Sequence, residues 1–232
     1  MKERAILFNA PMVRALLDGS KTQTRRAFKV QPSEGFLPLA VEWFAPTAVD
    51  RHGDEIPGPE IFGVYSEDEG YKFLYGAPGD RLLAKETFYA FGRWETRFSA
   101  KKGRDEWRFV DMTLECGKTY SYAETDRKPL QMRGKRDADV TPGWWKRPAI
   151  FMPRAASRIT LEITGVRVER LQDISKADAT AEGVDWFFSG AVDYPGKATN
   201  AIDAYRDLLE SINGPGSWAA NPWVWVIDFK RI

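Results

Sequence analysis

The chain opens on a short apolar run, Ala5-Ile-Leu-Phe8, that reads as a strand. Pro11 then suits the first turn of a helix, where a missing backbone N–H costs nothing. Met12, Val13, Leu16 and Leu17 follow at helical spacing, and Gly19 supplies the stop. Lys21 to Phe28 returns to extended chain. Residues 29–77 are rich in Pro and Gly yet carry Trp43, Phe44, Phe62, Tyr65, Tyr71 and Phe73. A disordered linker does not hold so many aromatics, so this stretch predicts an elaborated insertion with short strands. Pro78-Gly-Asp80 signals a turn and Arg81 to Phe91 a strand. Hairpin strands are expected at Trp107 to Met112 and Thr119 to Ala123, inside a charged and aromatic region.

In the second half, Ile159 to Val168 alternates and is rich in β-branched residues, the pattern of a strand. Ser175 can cap a short helix running through Ala177 and Ala181 toward Glu182. Ala201 to Ile212 places Ile202, Tyr205, Leu208, Leu209 and Ile212 on one side of an amphipathic helix. Trp223 to Lys230 is apolar on both faces, as a central strand is. Strands at both ends with few helices between predict an α+β fold, mainly β, built on a barrel that closes by pairing distant segments.

Composition narrows the chemistry. With 232 residues, 43% of them hydrophobic, the chain can bury one core. It has no run of about 18 apolar residues, so no membrane span is expected, and its N-terminus lacks the apolar region of a signal peptide; a cytoplasmic protein is the expectation. The single cysteine, Cys116, and single histidine, His52, exclude an internal disulfide and any zinc site built on Cys and His ligands. His52 lies in the polar stretch Asp50-Arg-His-Gly-Asp-Glu55, which reads as a solvated loop rather than part of a Ser-His-Asp triad. A net charge of +1 argues against a surface wholly given to nucleic acid but allows a local basic cleft.

Three segments share a known order. Gly19-x-Lys21, with Arg26 five residues on, follows the first strand and helix; Pro78-Gly-Asp-Arg-Leu82 stands in the middle; Trp225-Val-Ile-Asp-Phe-Lys230 closes the chain. Together they resemble ASCH domain proteins, and the longer, prophage-type members are similar at Met152-Pro-Arg154, Ser157-Arg-Ile-Thr160 and Ser211 to Trp218. The resemblance covers nearly the whole chain. It implies a PUA-like β-barrel with flanking short helices, one domain over residues 1–232 with insertions at about 29–77 and 92–140. Ala155 and Lys85 depart from the family's usual Trp and Arg.

Some small ASCH members hydrolyse the amide of N4-acetylcytidine to cytidine and acetate with a Lys, a Thr three residues later and a distant Glu. Carried over, the resemblance implies Lys21, Thr24 and Glu182 as the catalytic set of an amidohydrolase that uses no metal and no cofactor. The partner would be a small N4-acylated cytosine nucleoside or base. A Lys is a base only when desolvation or a neighbouring cation favours its neutral form, and Arg25 and Arg26 are adjacent cations. On a regular strand residues 21 and 24 would face opposite sides, so Lys21 is expected in the turn after Gly19, or a bulge must intervene.

Substrate-binding candidates are Asn9, Arg26, Glu86, Trp144 and Trp145. All but Arg26 have an ordinary alternative: Asn9 as a helix cap, Glu86 as a buried partner for an Arg, and the Trp pair as core. The runner-up reading is a PUA-like RNA-binding protein or ribonuclease. It rests on the basic stretch Arg127 to Arg136 and the Trp pair, which could meet phosphates and bases.

Overall fold

The computed structural model describes residues 1–130, 132–134, 141–184 and 198–232. Residues 131 and 135–140, part of the expected 92–140 insertion and of the basic stretch, lie outside the described residues. In chain order the elements are β1 (Glu3–Leu7), α1 (Ala10–Asp18), β2 (Gln23–Ala27), β3 (Ala40–Phe44), β4 (Thr47–Val49), β5 (Glu55–Pro57), β6 (Ile61–Tyr65), β7 (Gly70–Lys72) and β8 (Arg81–Lys85). They continue with β9 (Phe88–Ser99), β10 (Arg104–Asp111), β11 (Ser121–Tyr122), β12 (Gly143–Arg147), β13 (Thr160–Arg170), α2 (Lys176–Ala181), α3 (Ala201–Asn213) and β14 (Trp223–Arg231). The fold is α+β and mostly strand. Two compact units are present: Met1–Ile6, Ala15–Leu83 and Ile159–Ile232 in unit 1, and Leu7–Arg14 and Ala84–Arg158 in unit 2.

Unit 1 is organised by a five-stranded sheet of order β1-β8-β13-β14-β2. Among the described residues it is open, and no closed barrel forms. The central strand expected at the C-terminus is β14, buried along most of its length between β13 and β2. A bulge between Ile163 and Gly165 explains the sequence pattern of β13. Without it, the apolar positions 161 and 163 would fall out of phase with 166 and 168. With it, Leu161, Ile163, Val166 and Val168 stay on one face, opposite Arg231, Phe229, Ile227 and Trp225. The other face then receives Arg167 and Glu169 beside Asp228, and this polar face carries the charged cluster that backs the site.

The 29–77 insertion does hold short strands: a β3-β6-β7 sheet and a β4-β5 hairpin. Its aromatics serve the core. Phe28 stacks on Trp225 at 4.4 Å, Phe73 packs on the same indole at 4.9 Å, and Phe36 meets Trp223 edge-on. In α3 the buried side chains are Ala204, Tyr205 and Leu208. Ile212, expected on that apolar side, is exposed in the last turn.

In unit 2 the single strand expected from Arg81 to Phe91 is two strands, because the chain leaves one sheet after β8 and enters another at β9. β9 pairs with β10, β11 and β12. Phe88, Ala90, Met152 and Ala156 form its core, with Phe109, Tyr120 and Tyr122 against them.

Candidate active site

The site is assembled at the free edge of β2. Gly19, at φ +85°, ends α1 in the left-handed region that favours glycine. The chain then turns, and the Lys21 N–H donates to the Ala15 carbonyl at 2.9 Å. Lys21 therefore lies in the turn and outside β2, so it is not bound by the pleat that would separate it from Thr24. The Thr22 carbonyl accepts from the Phe229 N–H at 2.9 Å, on the β14 side. Alternation then points the backbone groups of Gln23 and Arg25 to the opposite edge.

That edge is completed by an ion pair. Lys21 Nζ donates to the Gln23 carbonyl at 2.8 Å, to the Glu182 carbonyl at 2.8 Å and to Glu182 Oε2 at 2.6 Å. These use all three protons of an ammonium. Glu182 Oε1 accepts the Arg25 backbone N–H at 2.6 Å. The two backbone groups that the pair engages are those on either side of Thr24. Thr24 itself sits opposite Ile227 in the register, so its side chain shares the apolar face of the sheet. It is 2% exposed, and its hydroxyl has no hydrogen-bond partner among the described residues. The structure thus joins Lys21 to Glu182 directly and places Thr24 between their backbone anchors.

A glutamate at a helix end is ordinarily solvated, but Glu182, expected as part of the catalytic set, is buried. It is the C-cap of α2, and Gly183 follows at φ +79°. A Cβ on Gly183 would lie 2.7 Å from Ala15 Cβ and 2.9 Å from Lys21 Cβ. Glycine lets the end of α2 approach the turn closely enough for the carboxylate to reach the ammonium. At its other end, α2 is held by a capping box: Ser175 accepts from the Asp178 N–H, and Asp178 reaches back to the Ser175 backbone.

A second polar cluster backs the pair. The Arg25 guanidinium contacts Gln23, lies 3.1 Å from Glu169 and 3.5 Å from Asp178, and stands 3.8 Å from Glu182. Gln23 Nε2 donates to Asp178 at 3.0 Å and to Asp228 at 2.7 Å. Arg167 joins Asp178 and Asp228, both at 2.8 Å. Burial alone would raise the Asp178 carboxyl, but hydrogen bonds from Ser175 and Gln23 and the charges of Arg25 and Arg167 hold it at about 2. Desolvation pulls the Lys21 ammonium below its ordinary 10.5; Glu182 opposes this, and Arg26 and Arg25 add to it. The Tyr205 hydroxyl is pushed well above 10, chiefly by burial and then by Glu182.

No family model, curated protein or solved structure matches the chain. The site is therefore read from its own geometry.

Of the substrate-binding candidates, Arg26 lies on β2 opposite Trp225 and borders a cavity of about 320 Å³ with Arg25, Tyr205 and Leu209. The other four belong to unit 2. Asn9 caps α1, its Oδ1 accepting the Met12 N–H at 3.1 Å. Glu86 takes Arg158 in two contacts of 2.8 and 3.0 Å, and that guanidinium stacks on Tyr122. Trp145 is buried, with its indole N–H on the Gly92 carbonyl at 3.1 Å, while Trp144 meets Phe91 edge-on. His52 is exposed in its loop.

Sequence reasoning named Arg25 only as a cation next to Lys21 and missed Asp178 and Gly183 as parts of the site. The capping box Ser175-x-x-Asp178 was the available signal for Asp178. Nothing local marks Gly183, since its partners Ala15 and Lys21 come from a distant segment.

Proposed function

We propose that this chain is an ASCH-type, PUA-like protein whose unit 1 hydrolyses the N4-acyl amide of an acylated cytosine nucleoside or base. The observation that carries the reading is the buried Lys21–Glu182 pair, which engages the backbone on both sides of Thr24. A buried lysine whose proton is already loosened, with a carboxylate 2.6 Å away to receive it, is what activation of a hydroxyl requires.

Transfer of a proton from Lys21 Nζ to Glu182 leaves a neutral amine and a neutral acid. The amine takes the Thr24 hydroxyl proton, and Oγ1 adds to the acyl carbonyl carbon. Collapse of the tetrahedral adduct breaks the carbon–N4 bond, and N4 leaves with a proton from the Lys21–Glu182 couple. Water, deprotonated by the same couple, then adds to the ester. The acid departs and Oγ1 regains its proton. A structural ion pair would use the same contacts but would need no loosened proton.

The test is chromatography of N4-acetylcytidine incubated with the protein, beside Lys21→Ala, Thr24→Ala and Glu182→Ala variants shown to be folded. Release of cytidine by the wild type and its loss in the variants is expected. Full activity in all three variants would remove the assignment.

A further inference from the structure

Unit 2 has an open sheet edge. β10 is the last strand on its side of the sheet and pairs with β9; among the described residues its outer edge has no hydrogen-bond partner. The register of the pair runs without a shift from Arg104↔Ser99 to Asp111↔Gly92. An open strand is a template for another, and proteins blunt such edges with prolines, bulges or charge. β10 has no proline and no bulge, and its charged residues Arg104, Asp105, Glu106, Arg108 and Asp111 carry both signs. Mixed signs repel only a strand that sets like against like.

The backbone fixes which residues reach outward. The Met112 N–H donates to the Phe91 carbonyl at 2.8 Å, so Met112 turns its backbone toward β9. Alternation turns the backbone groups of Glu106, Arg108 and Val110 the same way, and those of Asp105, Trp107 and Phe109 to the open edge. A second β10, laid antiparallel on that edge by a two-fold axis, must set outward residues against outward residues. An axis at Glu106 opposes Glu106 to itself and Arg104 to Arg108. An axis at Arg108 opposes Arg108 to itself. An axis at Trp107 sets Glu106 against Arg108 of the second copy, Arg108 against its Glu106, and the two indoles side by side. β9 continues the pattern, with Arg97 opposite Glu106 and Glu95 opposite Arg108. Each row then reads Arg97, Glu106, and Arg108 and Glu95 of the second copy, with signs alternating across the joined hairpins. In the single chain Glu106 is bridged by Lys102 at 2.7 Å, while Arg108 has no ion pair among the described residues. On the other face Trp107, 43% exposed, gains an aromatic partner from its own copy.

We propose that two copies of this chain associate through β10, antiparallel and centred on Trp107. The surface lies in unit 2, and the proposal stands whether or not unit 1 is a hydrolase.

The test measures the mass of the full chain in solution by size-exclusion chromatography with light scattering over a concentration series. A concentration-dependent dimer is expected. Arg108→Glu places like charges in both symmetry-related 106–108 pairs, and so does Glu106→Arg. Each should weaken the dimer about 10-fold. Neither side chain is buried, so circular dichroism of both variants should match wild type. Mixing the two variants should restore association, because the 106–108 pairs between unlike chains are again of opposite sign. Damage confined to a single chain would not be repaired by mixing. A monomer at every concentration, a dimer that neither substitution weakens, or no recovery on mixing overturns the proposal.

Discussion

At the scale of single residues, the Lys21–Glu182 contact carries both stability and chemistry, and the two can be separated. Removing one partner of a buried pair strands the other, so Lys21→Met should cost about 3–5 kcal/mol in urea unfolding. Replacing both, as Lys21→Met with Glu182→Leu, should recover much of that loss while leaving turnover abolished. The pH dependence follows from the direction of the Lys21 shift. Its folded pKa lies below the ordinary 10.5, so the neutral amine grows in as pH rises. We expect kcat/KM to climb with pH to a plateau, with a midpoint below 10.5. The same sign holds for stability: the favourable increment from Lys21 is full only above 10.5 and is lost as pH falls through the folded pKa. Gly183→Ala should disturb both properties, because a left-handed alanine costs about 1–2 kcal/mol and its methyl would press on Lys21. A lower melting temperature together with reduced turnover is the expected readout.

At the scale of elements, α2 is the lever that delivers Glu182. Its capping box is anchored by Ser175, so Ser175→Ala should lower stability by about 1 kcal/mol in thermal melts and reduce turnover through the carboxylate's position. Asp178 belongs to both the cap and the polar cluster. Its carboxyl sits at about 2 instead of 3.8, so its contribution is full above 3.8 and is lost as pH falls through about 2. The helices and the long strands were legible because periodicity and caps are local: Asn9, Gly19, Ser175 and the apolar run of β14 each act within a few residues. The bulge in β13 was half legible. The switch of apolar positions from 161 and 163 to 166 and 168 is written in the chain, but it becomes a bulge only once β14 supplies the register. The split between β8 and β9 was not legible, because the apolar pattern runs on while the pairing partners change.

At the scale of the molecule, Lys21 and Thr24 were placed from a motif, whereas the burial of Glu182 could not be. A helix-end glutamate is ordinarily solvated, and only the contact of Gly183 with Ala15 and Lys21, across distant stretches of sequence, brings it inside. The Pro/Gly-rich insertion was likewise readable as structured from its aromatics, but not as a contributor to the core around Trp225. In the expected substrate set, Asn9 and Glu86 hold the ordinary partners weighed for them, while Arg25 emerges as the cation that touches both Glu182 and Asp178. The measurement that tests the central claim most directly compares turnover of N4-acetylcytidine by the wild type and by Thr24→Val. Valine keeps the shape and burial of residue 24 and removes only its hydroxyl. The account predicts that the wild type releases cytidine and acetate and that the equally folded variant does not. No release by the wild type, or undiminished release by Thr24→Val, would contradict it.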